Sequence, residues 1–590
     1  MPYIPPAWLI IAGAILTPLL TGRARNWFVV LVNGLAFVYI LAMEPGSSWH
    51  VSFFGFDLTL LRVDKLSKLF GAIFTLYGFA ASLYSLSTLR DCKQQFAALI
   101  YIGSALGVVF AGDLVSLYFY WEVMAVASVI LILAQRSEQA LGAGYRYVLV
   151  HIFGGLCLLL GIVLFIHQTG SVEFTTFSVR NPATYLILLG VLVNAAAPPL
   201  HAWLPDAYPE ATVTGSVVLS AYTTKTAVYT LIRGFPGWEV LIVLGCLMTI
   251  YGIFYALLEN DMRRILAYSI INQVGFMVTG AGIGTQMALN GAAAHAFAHI
   301  IYKGLLFMSA GSVLYMTGKS KCTDLGGLYK TMPWTLILGC VGALAISAFP
   351  LTSGFTTKSM IMLGAEHEHM FWPWLVLEIA SAGVFLHAGI KFPYFVFFAK
   401  DKGLRPGETN WSMLSAMGIL AFLCIFIGVY PEPLYGILPY QTEAYHAYTA
   451  THLTTQMQLL MFSALVFFLF LPLLKRTETI SLDTDWFYRK GAGVMGRVLD
   501  TGLNGLNARA ESAVKGTAGF LARVSKDIPA RTVLFFLITS WIFAGYRGKR
   551  LELKKSMAYN DLMGANIPLG VGAGVSALFV AAFFILVNFF

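Results

Sequence analysis

The sequence predicts an all-α, polytopic membrane protein of about 15–17 spanning helices. Composition and recurrent apolar runs carry that expectation. Of 590 residues, 58% are hydrophobic and 11% charged, and the mean hydropathy is +0.74. A soluble globular chain has about 25% charged residues, so this chain has too few to wet its surface. Apolar stretches of about 20 residues, the length a spanning helix needs, recur throughout. Examples are LVSLYFYWEVMAVASVILILA (114–134) and WEVLIVLGCLMTIYGIFYALL (238–258).

Spans are expected at 6–21, 27–43, 66–88, 95–111, 114–134, 147–168, 183–200, 212–233, 239–258, 264–283, 288–315, 334–364, 372–398, 411–430 and 456–474, with a last apolar run at 568–590. The connections TGRARN (21–26), TLRDCKQQ (88–95), ENDMRR (259–264), GKSKC (318–322) and AKDKG (399–403) all follow odd-numbered spans. Basic loops mark the cytoplasmic side, which places the N-terminus outside and the chain in the cell (inner) membrane. The same distribution explains the net charge of +9 without nucleic acid as a partner. The six cysteines are scattered, with no C-x-x-C pair, against a disulfide framework, a structural zinc site or an iron–sulfur cluster. No cofactor or metal is expected. MPYIPPAWLI lacks the basic start of a signal peptide, so the first span is expected to stay in the mature protein.

Two spans are interrupted, the seventh at Pro198 and Pro199 and the twelfth across FPLTSGF at Pro350 and Gly354. Proline in a helix interior frees backbone groups that need a protein or water partner in lipid. Such breaks are either ordinary kinks or, as a pair in two halves of a transporter, pointers to inverted repeats around a midplane site. The candidate ionisable residues inside the spans are Glu122, Lys225, His295, His299, Lys303, Lys358, Glu378, His387 and Lys391. Each costs at least about 2.5–3.5 kcal/mol at the bilayer centre unless it faces protein or water. Any one could be a snorkelling or paired side chain; together they form a polar axis. In HAFAHIIYK, His295, His299 and Lys303 stand at i, i+4 and i+8, on one helix face. Histidine and buried lysine can both exchange protons near neutral pH. A haem is the rival for the histidines, but two on one helix cannot ligate both of its faces.

At these residues the chain resembles the proton-conducting membrane transporter family: antiporter-like subunits of complex I, membrane-bound hydrogenases and Mrp-type multisubunit Na+/H+ antiporters. It is most similar to the D-type chains of the Mrp antiporters. The resemblance runs from about residue 60 to 400. It rests on FYWEVM (119–124), PPLHAWLPDAYPEA (198–211), TTKTAVYTLIR (223–233), DMRRILAYSIINQVGFM (261–277), HAFAHIIYKGLLF (295–307), DLGGLYKTMP (324–333) and SGFTTKSMI (353–361). It implies that Glu122 is the fifth-helix glutamate of a first half-channel and Lys225 the eighth-helix lysine relaying protons to the centre. His295, His299 and Lys303 resemble the eleventh-helix relay, and Lys358 the twelfth-helix lysine of a second half-channel. One position departs: nine residues before Trp203, where the family has a lysine, stands Asn194. An amide holds no proton, so Glu122 is expected to be either neutral or paired with His151, and the first half to be the weaker path. The separations Asn194–Lys225 and Lys358–Lys391 read as an echo of one repeat in the other.

The implied organisation is N-terminal helices (1–94), a first five-helix repeat (95–234), a linking helix (235–263), an inverted second repeat (264–400), flanking helices (401–474), an amphipathic or lateral extension (475–567) and a last membrane helix (568–590). The run TVLFFLITSWIFAGY (532–546) is expected to lie in the interface or re-enter, because crossing would leave GYRGKRLELKK outside. Three functions are compatible. The chain could belong to a sodium/proton antiporter complex. It could be a proton-pumping part of an NADH-quinone oxidoreductase or hydrogenase, with no redox centre of its own. It could also be a non-transporting scaffold. The first two imply protons, monovalent cations (sodium foremost), lipid and other membrane subunits as partners.

Overall fold

A computed structural model describes residues 3–89, 91–440, 445–472, 482–564, 580 and 584. The chain divides into two compact units, Met1–Asp485 and Trp486–Phe590.

The first unit begins with α1 (Pro6–Leu16) and α2 (Gly22–Ala42), a hairpin of β1 (Gly46–Phe53) and β2 (Phe56–Val63), then α3 (Lys65–Ser85), α4 (Cys92–Phe110), α5 (Leu114–Leu133) and α6 (Glu138–Thr169). Next come α7 (Pro182–Asn194), α8 (Trp203–Ala207), α9 (Val213–Leu219), α10 (Thr223–Gly234), α11 (Glu239–Leu258), α12 (Met262–Ile283) and α13 (Gln286–Thr317). It closes with α14 (Pro333–Ile346), α15 (Ser353–His367), α16 (Phe371–Phe398), α17 (Trp411–Val429), α18 (Glu432–Tyr435) and α19 (Ala450–Leu469). Among the described residues, 11 helices are long and apolar enough to cross a membrane. With α1 and the interrupted segments α7–α8, α9–α10 and α14–α15, they account for every span expected before residue 472. The run at 568–590 lies almost wholly outside the described residues.

The hairpin is the one departure from helical structure among the described residues. Its strands pair from Gly46↔Val63 to Phe53↔Phe56, across a turn in which Phe54 and Gly55 both take positive φ, 49° and 82°. Such a two-residue turn matches the right-handed twist of paired strands. The sixth span starts earlier than expected, at Glu138, because Ser137 caps it by accepting from the Ala140 N–H.

The first unit has two chemically distinct ends. Basic connections gather at one: Asn26 donates to the Leu86 carbonyl, Asp261 bridges to Lys321, and Lys330 reaches Asp401 at 3.0 Å. The hairpin closes the other, where Thr59 accepts from the Gly112 N–H and Arg233 grips both carboxylate oxygens of Asp64 at 2.8 and 2.7 Å. Between the ends, α12 is buried throughout and α13 nearly so. These two helices form the axis of the core.

Both expected breaks are present and share one geometry. Past α7, Ala196 takes φ 59° and the Ala197 N–H reaches the Leu192 carbonyl; past α14, Ala348 takes φ 54° and the Phe349 N–H reaches the Leu344 carbonyl. This is the six-to-one bond that ends a helix through a left-handed residue. A third break was not anticipated: α9 stops at Leu219 and α10 starts at Thr223, inside the eighth span. No proline or glycine marks it.

In the second unit, α20 (Asp485–Arg497) leads through a π-helical turn, Val498–Leu503, into the 40-residue α21 (Asn504–Phe543), followed by α22 (Lys549–Gly564). The run at 532–546 is helical as far as Phe543.

Candidate functional site

Lys225 sits at the third break. Its Nζ donates to the carbonyl of Ser220 at 2.8 Å and to Thr224 Oγ1 at 3.1 Å, so the lysine satisfies a carbonyl freed where the helix opens. The side chain has no exposure. The α10 helix packs on α12 and α13, which brings Lys225 to the core axis.

Along α13, His295, His299 and Lys303 are all buried, as their spacing predicts. His295 Nε2 lies 3.1 Å from Gln273 Oε1, and its Nδ1 lies 3.4 Å from Thr357 Oγ1 on α15. Tyr302 donates to the same Gln273 oxygen at 3.0 Å. The His299 ring sits 6.2 Å from that of His295 and 5.2 Å from that of Tyr302, and neither of its nitrogens has a hydrogen-bond partner among the described residues. Lys225 and Lys303 are its electrostatic neighbours. Lys303 donates to Ser269 Oγ at 2.8 Å. Lys358, one position after Thr357, lies over the Phe276 ring at 5.4 Å, its Nζ donates no hydrogen bond among the described residues, and Glu378 of α16 is its charged neighbour. Five of the six expected relay residues thus lie in one connected core. None of the three lysines forms an ion pair with a carboxylate among the described residues.

Glu122 stands apart. It is half-buried on α5 against α6, and a Cβ on Gly155 would meet its Oε1 at 2.2 Å. That oxygen has no hydrogen-bond partner among the described residues. The expected pairing with His151 is not formed. His151 is instead held between the rings of Tyr147 and Trp203, at 4.0 and 4.7 Å, beside the amide of Asn194. The physical reason is aromatic packing: the imidazole faces the α7 break, while Glu122 faces Gly155. Arg146, on the same helix, grips Asp206 at 2.7 and 3.0 Å.

Two further readings are corrected. Lys391 donates to the carbonyls of Ala256, Leu257 and Glu259, at 2.7, 2.6 and 2.8 Å, and so caps the end of α11. The spacing echo also does not mark equivalent places: Asn194 ends α7 ahead of its break, whereas Lys358 lies beyond its break, in α15. Gln273, Thr357, Tyr302 and Ser269 were missed. All four lie within or beside quoted motifs, but as neutral polar residues they carried no signal of their own.

Residues 111–385 match the family model described as NADH:quinone oxidoreductase/Mrp antiporter, TM. The match takes in a little under half of the chain, and over those residues the chain resembles that family. It is 30% identical over 492 residues to the A-type chain of the Na(+)/H(+) antiporter of Alkalihalophilus pseudofirmus, covering 71% of this chain and 60% of the relative. It is 29% identical over 454 residues to the A/B-type chain of a probable K(+)/H(+) antiporter of Rhizobium meliloti, covering 70% and 45%. The match to the D-type chain of the A. pseudofirmus Na(+)/H(+) antiporter is 26% over 405 residues, covering 64% and 81%. The chain thus spans about half of the longer A-type relatives it matches. Two solved structures share the fold. One is a chain of the archaeal membrane-bound sulfane sulfur reductase, with TM-score 0.68 and 24% identity over 88% of this chain and 95% of that one. The other is a chain of the Mrp complex from Dietzia, with TM-score 0.67 and 19% identity over 78% and 98%.

Proposed function

We propose that this protein translocates protons, coupled to a monovalent cation, as one antiporter-like subunit of a larger membrane complex, closest in kind to the D-type chain of a sodium/proton antiporter. One observation carries the reading: Lys225, Lys303 and Lys358 are buried to 1% exposure or less, with two histidines between them and no carboxylate paired to any of them among the described residues. An uncompensated buried charge is expensive, and a scaffold would have no use for three. Groups that gain and release protons, with water completing the gaps, do. Coverage supports the D-type reading, since 81% of the D-type relative is matched against 60% of the A-type one. The likeness to a sulfane sulfur reductase chain supports the alternative, a pumping subunit of a redox complex. The neighbouring subunits of the purified complex separate the two.

The fold is read as two inverted five-helix repeats, α4–α10 and α11–α16. Three correspondences support this. Asp113, capping α5, bridges to Glu173 just past α6; Asp261, capping α12, bridges to Lys321 just past α13. These two bridges lie at opposite ends of the unit. Thr169 and Thr317 make the same helix-ending bonds, and the two breaks share their turn. Four spans lie in 264–400, and α11 supplies the fifth. The basic end is assigned to the cytoplasm and the N-terminus to the outside. Lys402→Cys would then react with an impermeant thiol reagent in inverted vesicles and not in whole cells. The second unit is assigned a bracing role between neighbouring subunits.

The function is tested with Lys225→Ala in inverted vesicles. Loss of cation-driven proton movement by an assembled complex is expected, and normal transport would refute the assignment.

A further inference from the structure

The last residues of the first unit, Leu482 to Asp485, are anchored within it. Asp483 is 7% exposed and accepts hydroxyl protons from Tyr251 of α11 and Tyr268 of α12, each at 2.5 Å, one on either carboxylate oxygen. His201 Nε2 lies 3.1 Å from Oδ1. His201 has no exposure, its ring rests on Tyr251 at 4.3 Å, and neither ring nitrogen meets hydrogen-bond geometry with a partner among the described residues. The flanking residues are fixed separately: Tyr255 donates to the Leu482 carbonyl at 2.7 Å, and Thr484 Oγ1 to the Pro199 carbonyl at 3.0 Å. Pro199 and His201 both belong to the open segment between α7 and α8.

Those two main-chain bonds already staple the segment across the break. The carboxylate and imidazole add nothing that a staple requires, and burying an acid against a base costs desolvation of both. Tyr251, Tyr268 and His201 all hold Asp483 as the carboxylate, below the usual carboxylate range, so it releases a proton readily once it has taken one. From Tyr268, polar side chains continue through Arg264 and Glu259, paired at 3.1 Å, to the basic end.

We propose that His201 and Asp483 are a further proton-transfer pair, in which the segment after α19 supplies the first half with a carboxylate at its broken helix. The step is a transfer from His201 Nε2 to Asp483 Oδ1. One N–H bond breaks, one O–H bond forms, and an ion pair becomes two neutral groups. Loss of the proton to water at the basic end leaves the carboxylate ready for the next transfer. The proposal rests on the translocating function above.

Asp483→Asn keeps the shape and the staple but cannot take the proton, and His201→Gln keeps the carboxylate but removes the donor. Each is measured in the whole complex for assembly, transport rate and the pH profile of transport, beside Asp483→Glu. The expected result is normal assembly, a fall in rate for both that is smaller than the loss in Lys358→Ala, with a displaced pH profile, and recovery of the rate in Asp483→Glu. Wild-type rate and profile in an assembled Asp483→Asn would overturn the pair. Failure of both variants to assemble would make it a structural staple and overturn it equally. Lys225→Ala separates the two levels: if it transports normally, translocation itself is refuted, whereas its inactivity beside a fully active Asp483→Asn refutes the pair alone.

Discussion

The helices α6 and α13 are the same length, 32 residues, and end in the same turn, with Gly170 and Gly318 both left-handed. Aligned on that turn, His151 falls on His299, Tyr147 on His295 and Gly155 on Lys303. One imidazole is therefore common to the two helices, and its ionisable neighbours are not. In the second half the imidazole has a histidine one turn before it and a lysine one turn after. In the first it has an aromatic ring and a glycine, and the space a side chain would occupy at 155 is taken by the carboxylate of Glu122. Asn194 extends the difference, because the amide beside His151 carries no charge. The comparison teaches that one scaffold can hold a continuous ionisable string in one half and a discontinuous one in the other.

Breaking the string has the largest expected effect. Lys358→Ala, like Lys225→Ala, should reduce proton movement to background, because removing a positioned proton-transfer group costs about 10²–10⁴-fold. Flux assays in inverted vesicles, normalised to assembled complex, check this. Truncation near residue 480 should come next, as it removes both Asp483 and the second unit. Weakened co-purification with neighbouring subunits is expected, and normal yield would refute the bracing role.

A smaller effect is expected from Gly155→Ala, which sharpens the comparison. The new Cβ meets Glu122 Oε1 at 2.2 Å, and Glu122 must turn. Overpacking of this kind costs about 1–3 kcal/mol, read as a lowered midpoint of thermal unfolding in detergent, with transport retained. Equal loss of transport in Gly155→Ala and Lys358→Ala would mean that the position of Glu122 is critical.

Smallest is the effect at the hairpin end. Burial opposes the charge on Asp64, but Arg233 and the Ser67 N–H outweigh it and hold the carboxyl below the usual carboxylate range. A depressed carboxylate adds stability above its unfolded pKa, about 3.9, which is lost as pH falls through the folded value. Asp64→Asn should therefore cost about 1 kcal/mol or less near pH 7, since the pair is partly exposed, with the difference shrinking under acid. Thermal unfolding of wild type and variant across that range checks the sign.

The spans and two of the breaks were legible because hydropathy and proline act locally. The shared buried face of His295, His299 and Lys303 on α13 was legible because i, i+4 spacing fixes a helix face. The break before Lys225 was not, since its stability comes from a lysine reaching back to Ser220 rather than from a helix-breaking residue. The capping role of Lys391 and the contact of Asp483 with His201 join residues more than 130 positions apart. No local pattern announces such contacts. Asp483 lies in the extension, one of two acids in LDTDW, and nothing in the local pattern singled it out. The alternation in HVSFFGFDLTLLRV was present, hidden in a connection between two long helices.

The central claim is that the second half carries most of the flux, and one side-by-side measurement tests it most directly. Glu122→Gln and Lys358→Ala are compared for cation-driven proton transport in complexes of equal assembly. Lys358→Ala should be inactive, with Glu122→Gln keeping a substantial part of the wild-type rate. Loss of transport in Glu122→Gln as complete as in Lys358→Ala would contradict the account.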